Sequence, residues 1–185
     1  MRKAKIFTVA IIAVIVSFFA QSTVAYYSAF GMAENVITSG NISFKIHEKT
    51  DKGTDFPRDG ITVHPGDVVS KIVSIENVCK HPFYVRVKLV YGSESNLVSA
   101  EGCFKPNVDT ENWIYHDGWY YYKGVVEPGA TTPNVFTKVE MVSSVLSDAH
   151  RGKTLTLTVV AHAVQSENNP VSGTSTYTAS GWPEE

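Results

Sequence analysis

Apolar and polar residues alternate with a period of two along several runs of this chain. Ile42, Phe44 and Ile46 alternate with Ser43, Lys45 and His47. The clearest run is Phe83, Val85, Val87, Leu89 and Tyr91, set against Tyr84, Arg86, Lys88 and Val90. A third puts Leu155, Leu157, Val159, Ala161 and Ala163 opposite a face carrying Thr154, Thr156, Thr158 and His162. Side chains of an extended chain point alternately to two sides, so each run predicts a strand with one buried face. The two cations of the second run predict that its polar side meets water. Residues 68–77 are apolar on both faces, with Val69, Val73 and Ile75 sharing one with Lys71, as in a strand held between layers. Residues 135–142 predict a further strand, and Leu97-Val98 a short one.

Turn signals separate these runs. Asp117-Gly118 stands between Trp113-Ile114-Tyr115-His116 and Trp119-Tyr120-Tyr121-Tyr122. This predicts a two-residue hairpin, because a type I′ turn needs positive φ at both central positions. Val63-His64-Pro65-Gly66 and Val126-Glu127-Pro128-Gly129 share a Val-x-Pro-Gly pattern. Proline presets one turn angle and glycine accepts the positive one, so the echo predicts a repeated corner. Residues 48–60 form a polar loop and residues 143–152 an irregular or helical connection. No amphipathic helix of useful length appears. About seven to nine strands with regular turns predict an all-β fold, an antiparallel two-sheet jelly roll or β-sandwich after an N-terminal signal peptide.

That leader is residues 1–25. Arg2, Lys3 and Lys5 precede an uncharged apolar run, and Thr23-Val24-Ala25 presents small residues to a signal peptidase, with Ala25-Tyr26 as the bond cut. Ser28-Ala29 is a second small-residue site. The alternative is an uncleaved anchor, but about 15 apolar residues fall short of the roughly 20 a span needs, so no stable membrane anchor is expected after cleavage. The mature chain keeps 13 Lys+Arg against 18 Asp+Glu, a net charge of −5. Phosphate binding needs a basic face, which argues against nucleic acid as a partner. The organisation expected is an N-terminal segment over 26–39, a sandwich over 40–166, and a polar tail over 167–185 without fixed structure. With no C-terminal sorting pattern or second apolar span, release or non-covalent retention at the surface is expected rather than covalent anchoring. Cys79 and Cys103 are the two cysteines. In an exported protein a bridge between them is expected, closing a loop of about 25 residues for ~3 kcal/mol; two separate thiols are the alternative.

The order of these features resembles the TasA/camelysin family of secreted Gram-positive proteins, exported through a SipW-type signal peptidase. The resemblance rests on Val24-Ala25-Tyr26-Tyr27-Ser28-Ala29-Phe30 across the cleavage zone, and on Ile37-Thr38-Ser39-Gly40-Asn41-Ile42-Ser43-Phe44. It continues through Val63-x-Pro65-Gly66-Asp67 with Lys71, Val73 and Asn77, then Phe83-Tyr84-Val85-Arg86-Val87. Gly31 and Met32, the paired cysteines and the aromatic hairpin depart from the family pattern. The resemblance implies a jelly roll, a place in the extracellular matrix or at the cell surface, and partners that are other copies of the chain or related matrix proteins. It implies biofilm fibres built by donor-strand exchange. Residues 26–39 are then the donor, with Tyr27, Ala29 and Phe30 as candidate inserted residues. Pairing of this segment within its own domain is the equal alternative.

Reactive chemistry is sparse. Camelysin-like members carry a metalloprotease label, yet no His-Glu-x-x-His occurs, and no two of His47, His64, His81, His116, His150 and His162 lie four apart. His162, on a threonine-rich strand face, is expected at the surface, as are the other histidines. Asp51, Asp55 and Asp59 miss the calcium-loop pattern. No catalytic residue, metal or cofactor is expected. The competing binding reading is a monomeric surface adhesion module presenting Trp113, Tyr115, Trp119 and Tyr121 to a sugar or peptide, at most about half of the hairpin aromatics being exposed.

Overall fold

The computed structural model describes residues 27–30, 33–35, 42–94, 98–167 and 169–183, the first two stretches as backbone. The predicted cleavage residues Ala25 and Tyr26 lie outside them. Eleven strands are described: β1 (Tyr27–Phe30), β2 (Ala33–Asn35), β3 (Phe44–Lys49), β4 (Ile61–Val63), β5 (Val68–Asn77), β6 (Phe83–Ser93), β7 (Phe104–Pro106), β8 (Trp113–His116), β9 (Trp119–Tyr122), β10 (Phe136–Met141) and β11 (Thr154–Gln165). Two 3₁₀ turns, Asp148–His150 and Thr176–Thr178, are the helical elements among the described residues.

The strands form a two-sheet β-sandwich. The large sheet runs β4-β1-β11-β6-β9-β8, with β2 also on β11; the small sheet runs β3-β5-β10-β7. The predicted alternation is what closes the core between them. Phe83, Val85 and Val87 of β6 and Leu155, Val159 and Ala161 of β11 face Phe44, Ile46, Val73 and Ile75 of the small sheet in one buried cluster. β6 and β11 form the longest ladder, antiparallel from Leu155↔Ser93 to Gln165↔Phe83. Both Val-x-Pro-Gly corners carry the chain from the large sheet to the small one. Gly66 and Gly129 sit at φ +89° and +75°, where a side chain would be strained. Their turns close through Asp67 N–H to His64 C=O (3.0 Å) and Ala130 N–H to Glu127 C=O (2.9 Å).

The hairpin forms as its Asp-Gly pair dictates. Trp113↔Tyr122 and His116↔Trp119 pair across it, with Asp117 at φ 46° and Gly118 at φ 82°. β4 and β7 are strands the periodicity does not show, being three residues each. β3 reaches Lys49, so the polar loop begins after Lys49 and not at Glu48.

The sandwich is antiparallel as expected, apart from β1 and β2, which run parallel to β11. Two expectations are corrected. The polar tail is not without structure. Residues 169–183 cross the outer face of the large sheet, where Ala179, Val171 and Trp182 cover Tyr84 and Val164. The cation-bearing face of β6 therefore does not meet water throughout: Arg86 is only 7% exposed, and His162 beside it is 9% exposed rather than a surface residue.

Candidate functional site

Two places gather the residues singled out from the sequence. The first is the flank of β11. β1 lies between β4 and β11, with Tyr27 opposite Val63, Ala29 opposite Ile61 and Leu155, and Phe30 opposite Thr156. β2 continues the line, with Ala33 opposite Val159 and Asn35 opposite Ala161. Val63, Leu155, Val159 and Ala161 are fully buried, so this segment borders the main core. Within this single chain it pairs in its own domain.

The second is the outer face around Arg86. Strand register sets His162, Arg86 and Tyr121 side by side on β11, β6 and β9. The Arg86 guanidinium stacks 4.0 Å from the Trp119 ring centroid and 5.0 Å from that of Trp182. Arginine suits such a place, since its flat, weakly hydrated cation packs against aromatic faces; each contact stabilises by ~0.5–2 kcal/mol depending on desolvation. Arg86 Nη1 donates to Tyr121 Oη (3.2 Å), and Nη2 donates to the Pro183 carbonyl (2.7 Å). Nη2 also donates to His162 Nδ1 at 3.1 Å. An arginine cannot accept, so that nitrogen of His162 carries no proton. Tyr177 stacks on His116 at 4.2 Å, and Trp182 meets Tyr121 edge-on at 5.4 Å.

This arrangement corrects the binding platform read from the hairpin. Trp113 lies in the main core, and Trp119 and Tyr121 lie under the tail, all three buried. Tyr115 remains exposed, its ring 5.0 Å from that of Tyr120. The residues the sequence reading missed are Arg86, His162, Tyr177 and Trp182. A signal was present: large aromatics inside an otherwise polar tail are atypical of segments that stay unfolded.

No family model, curated protein or solved structure matches this chain. The site's chemistry rests on the residues themselves. Among the described residues, no three His, Cys, Asp or Glu side chains come together in a group able to hold a metal ion.

The expected disulfide is also corrected, since both cysteines are free thiols. The Cys103 carbonyl accepts from Val142 N–H just beyond β10, where β10 meets the start of β5 (Glu140↔Val68). Cys79 follows the other end of β5. Ten residues of strand hold the two roughly 30 Å apart at ~3.3 Å per residue, against about 5.5 Å between Cα atoms in a disulfide. Cys79 Sγ lies 3.2 Å from the His81 carbonyl, and Cys103 is buried, which pushes its thiol pKa up and its reactivity down. Native protein treated with iodoacetamide is expected to gain one adduct, on half-buried Cys79. A second follows only on unfolding, and prior reduction changes neither intact mass nor melting temperature. Mass spectrometry with and without reductant checks this.

Proposed function

We propose that this chain is a secreted, non-enzymatic structural protein: a subunit or accessory component of an extracellular-matrix fibre that assembles by strand exchange through residues 26–39. The reading is supported chiefly by how β1 and β2 are held. They come from a short segment ahead of the sandwich, yet they pair with residues 154–156 and 159–161 along one flank of β11, and β1 is the strand that β4 pairs with. Withdrawing the segment uncovers backbone N–H and C=O groups of β11 beside the buried Leu155, Val159 and Ala161. An open edge bordering apolar positions is a template for an extended peptide, with backbone hydrogen bonds giving affinity and alternate pockets giving specificity. The same segment from another copy has the matching sequence. The leader and the resemblance to the TasA/camelysin family favour the same conclusion.

The test compares mature protein (residues 26–185) with a form starting at residue 40, by electron microscopy and sedimentation velocity. The longer form is expected to polymerise. The shorter is expected to stay monomeric and to bind a synthetic 26–39 peptide, which caps its open edge and restores its melting temperature. Polymerisation of both forms alike, or a monomeric longer form at every concentration, overturns the proposal.

A further inference from the structure

The tail is attached to the sheet in the way a bound peptide is attached to a receptor. Its own hydrogen bonds are local. Thr178 N–H donates to Ser175 C=O (2.9 Å) and Ala179 N–H to Thr176 C=O (3.2 Å). Asn169 closes the segment on itself, donating from Nδ2 to the Ser180 carbonyl (2.7 Å) and accepting from Ser180 N–H (2.9 Å). Towards the sheet, Thr176 Oγ1 donates to the Tyr122 carbonyl (2.7 Å), and Arg86 donates to the Pro183 carbonyl. Asn169 Nδ2 also donates to the Gln165 carbonyl at the end of β11 (3.4 Å), and the remaining attachment is side-chain packing: Trp182 on Arg86 and Tyr121, Tyr177 on His116, and Ala179 and Val171 on Tyr84 and Val164. This small apolar cluster is separate from the main core. An aromatic anchor over an arginine, with a few backbone contacts around it, is the composition of an interaction hot spot rather than of a domain core.

The fit within one chain is imperfect. Arg86 Nε and Trp182 Nε1 are both buried without a hydrogen-bond partner among the described residues. A buried donor left unmade costs about 1–3 kcal/mol, which offsets part of what the tail's packing contributes. Residues 167–183 also have the reach to leave it, spanning roughly 55 Å when extended.

We propose that the outer face of the large sheet around Arg86, Trp119, Tyr121 and His162 is a docking groove for the C-terminal segment of a second copy of this chain. In the isolated chain the groove holds its own tail, which is direct evidence of which peptide it fits. When copies are crowded together, the tail of a neighbour competes for the same groove, and exchange of identical elements creates no new contact type. The groove lies on a sheet face, whereas residues 26–39 act at a sheet edge, so this link between copies stands independently of the strand exchange proposed above.

The test uses a fluorescent peptide of residues 169–185, read by anisotropy at protein concentrations low enough to keep the chains apart. A chain ending at residue 168 is expected to bind it in the micromolar range. The full mature chain is expected to bind it at least tenfold more weakly, because its groove is already filled. The Trp182→Ala peptide is expected to lose at least tenfold in affinity for the truncated chain. Should the truncated chain fail to fold, full-length Trp182→Ala, whose own tail no longer anchors, takes its place as the acceptor. To test exchange between whole molecules, Trp182→Ala protein is mixed with Trp119→Ala protein, which keeps the tail and loses the groove. A one-to-one complex forms in the mixture and is missing from either protein alone. No peptide binding to a natively folded acceptor, or no complex in the mixture, overturns the proposal. The mixture is made at the same low protein concentration, where strand exchange through residues 26–39 does not link the chains, so neither readout depends on it.

Discussion

Replacing Glu48 by alanine is expected to destabilise the domain by about 3–5 kcal/mol, whereas replacing its partner Lys71 by methionine is expected to be close to neutral. The two lie on inward faces of neighbouring strands, β3 and β5, with Lys71 Nζ 2.9 Å from Glu48 Oε1. The Lys71 side chain is only 4% exposed, and neither atom has another hydrogen-bond partner among the described residues. The Phe56 ring lies 4.7 Å from the ammonium. Taking the carboxylate away leaves a buried cation with an aromatic face as its remaining neighbour. Taking the cation away and filling its volume with an apolar chain removes a desolvation cost of similar size to the attraction lost. Urea unfolding of the two variants measures the contrast, and equal losses for both show that the pair is not desolvated.

The same pair gives a pH dependence. Burial lowers the Lys71 pKa below 10.5, against the pull of Glu48 in the other direction. Between that lowered value and 10.5 the unfolded chain binds more protons than the folded one, so this residue makes stability rise with pH across that window. Compared with Lys71→Met, the wild-type protein is expected to gain in urea midpoint as pH approaches 10.5 from below. A constant difference between the two proteins across that range refutes it.

The other large effect is expected at Asn77. Its side chain is fully buried and uses every group it has. Nδ2 donates to the carbonyls of His81 (2.9 Å) and Val126 (2.8 Å), and Oδ1 accepts from Cys79 N–H (2.9 Å). Its backbone adds N–H to Ala130 C=O and receives Gly129 N–H, each at 2.9 Å. One residue thus ties the end of β5 to the connection leading into β6 and to the second Val-x-Pro-Gly corner. Asn77→Ala strands the Cys79 N–H and leaves the His81 carbonyl only the weak Cys79 thiol donor at 3.2 Å, and about 3 kcal/mol is expected to be lost. The Val126 carbonyl keeps a partner in Phe83 N–H at 3.2 Å. Asn77→Asp has nearly the same shape but sets a carboxylate against two carbonyl oxygens. It is expected to be worse than alanine at neutral pH and to recover partly in acid, where a protonated carboxyl can donate. Thermal melts at pH 7 and pH 4 distinguish the two; an aspartate variant as stable as wild type at pH 7 removes the argument.

The residues behind these predictions differ in how far the sequence disclosed them. Lys71 shares a face with Val73 and Ile75, so its inward direction follows from alternation alone. Its partner does not, because Glu48 stands where an apolar strand gives way to a polar loop, and local pattern cannot tell which side of that boundary pairs. Asn77 closes a strand in a place where a polar residue is unremarkable. Its three bonds reach backbone groups two, four and 49 residues away, and the last of these is not local.

What the sequence settled by itself is what short-range physics controls. Strand alternation, the Asp117-Gly118 hairpin and the two Pro-Gly corners follow from steric limits on a few consecutive residues, and together they define a two-sheet β-sandwich. Which strands become neighbours, and what covers their outer faces, is decided by contacts between distant segments. Only the folded chain sets Cys79 and Cys103 at opposite ends of β5, lays residues 27–30 and 33–35 parallel to β11, and folds Trp182 over Arg86. The physical reason is that alternation fixes which side of a strand is apolar without naming the surface it will meet. A cation on a polar face looks alike in the sequence whether water or an aromatic ring comes to lie above it.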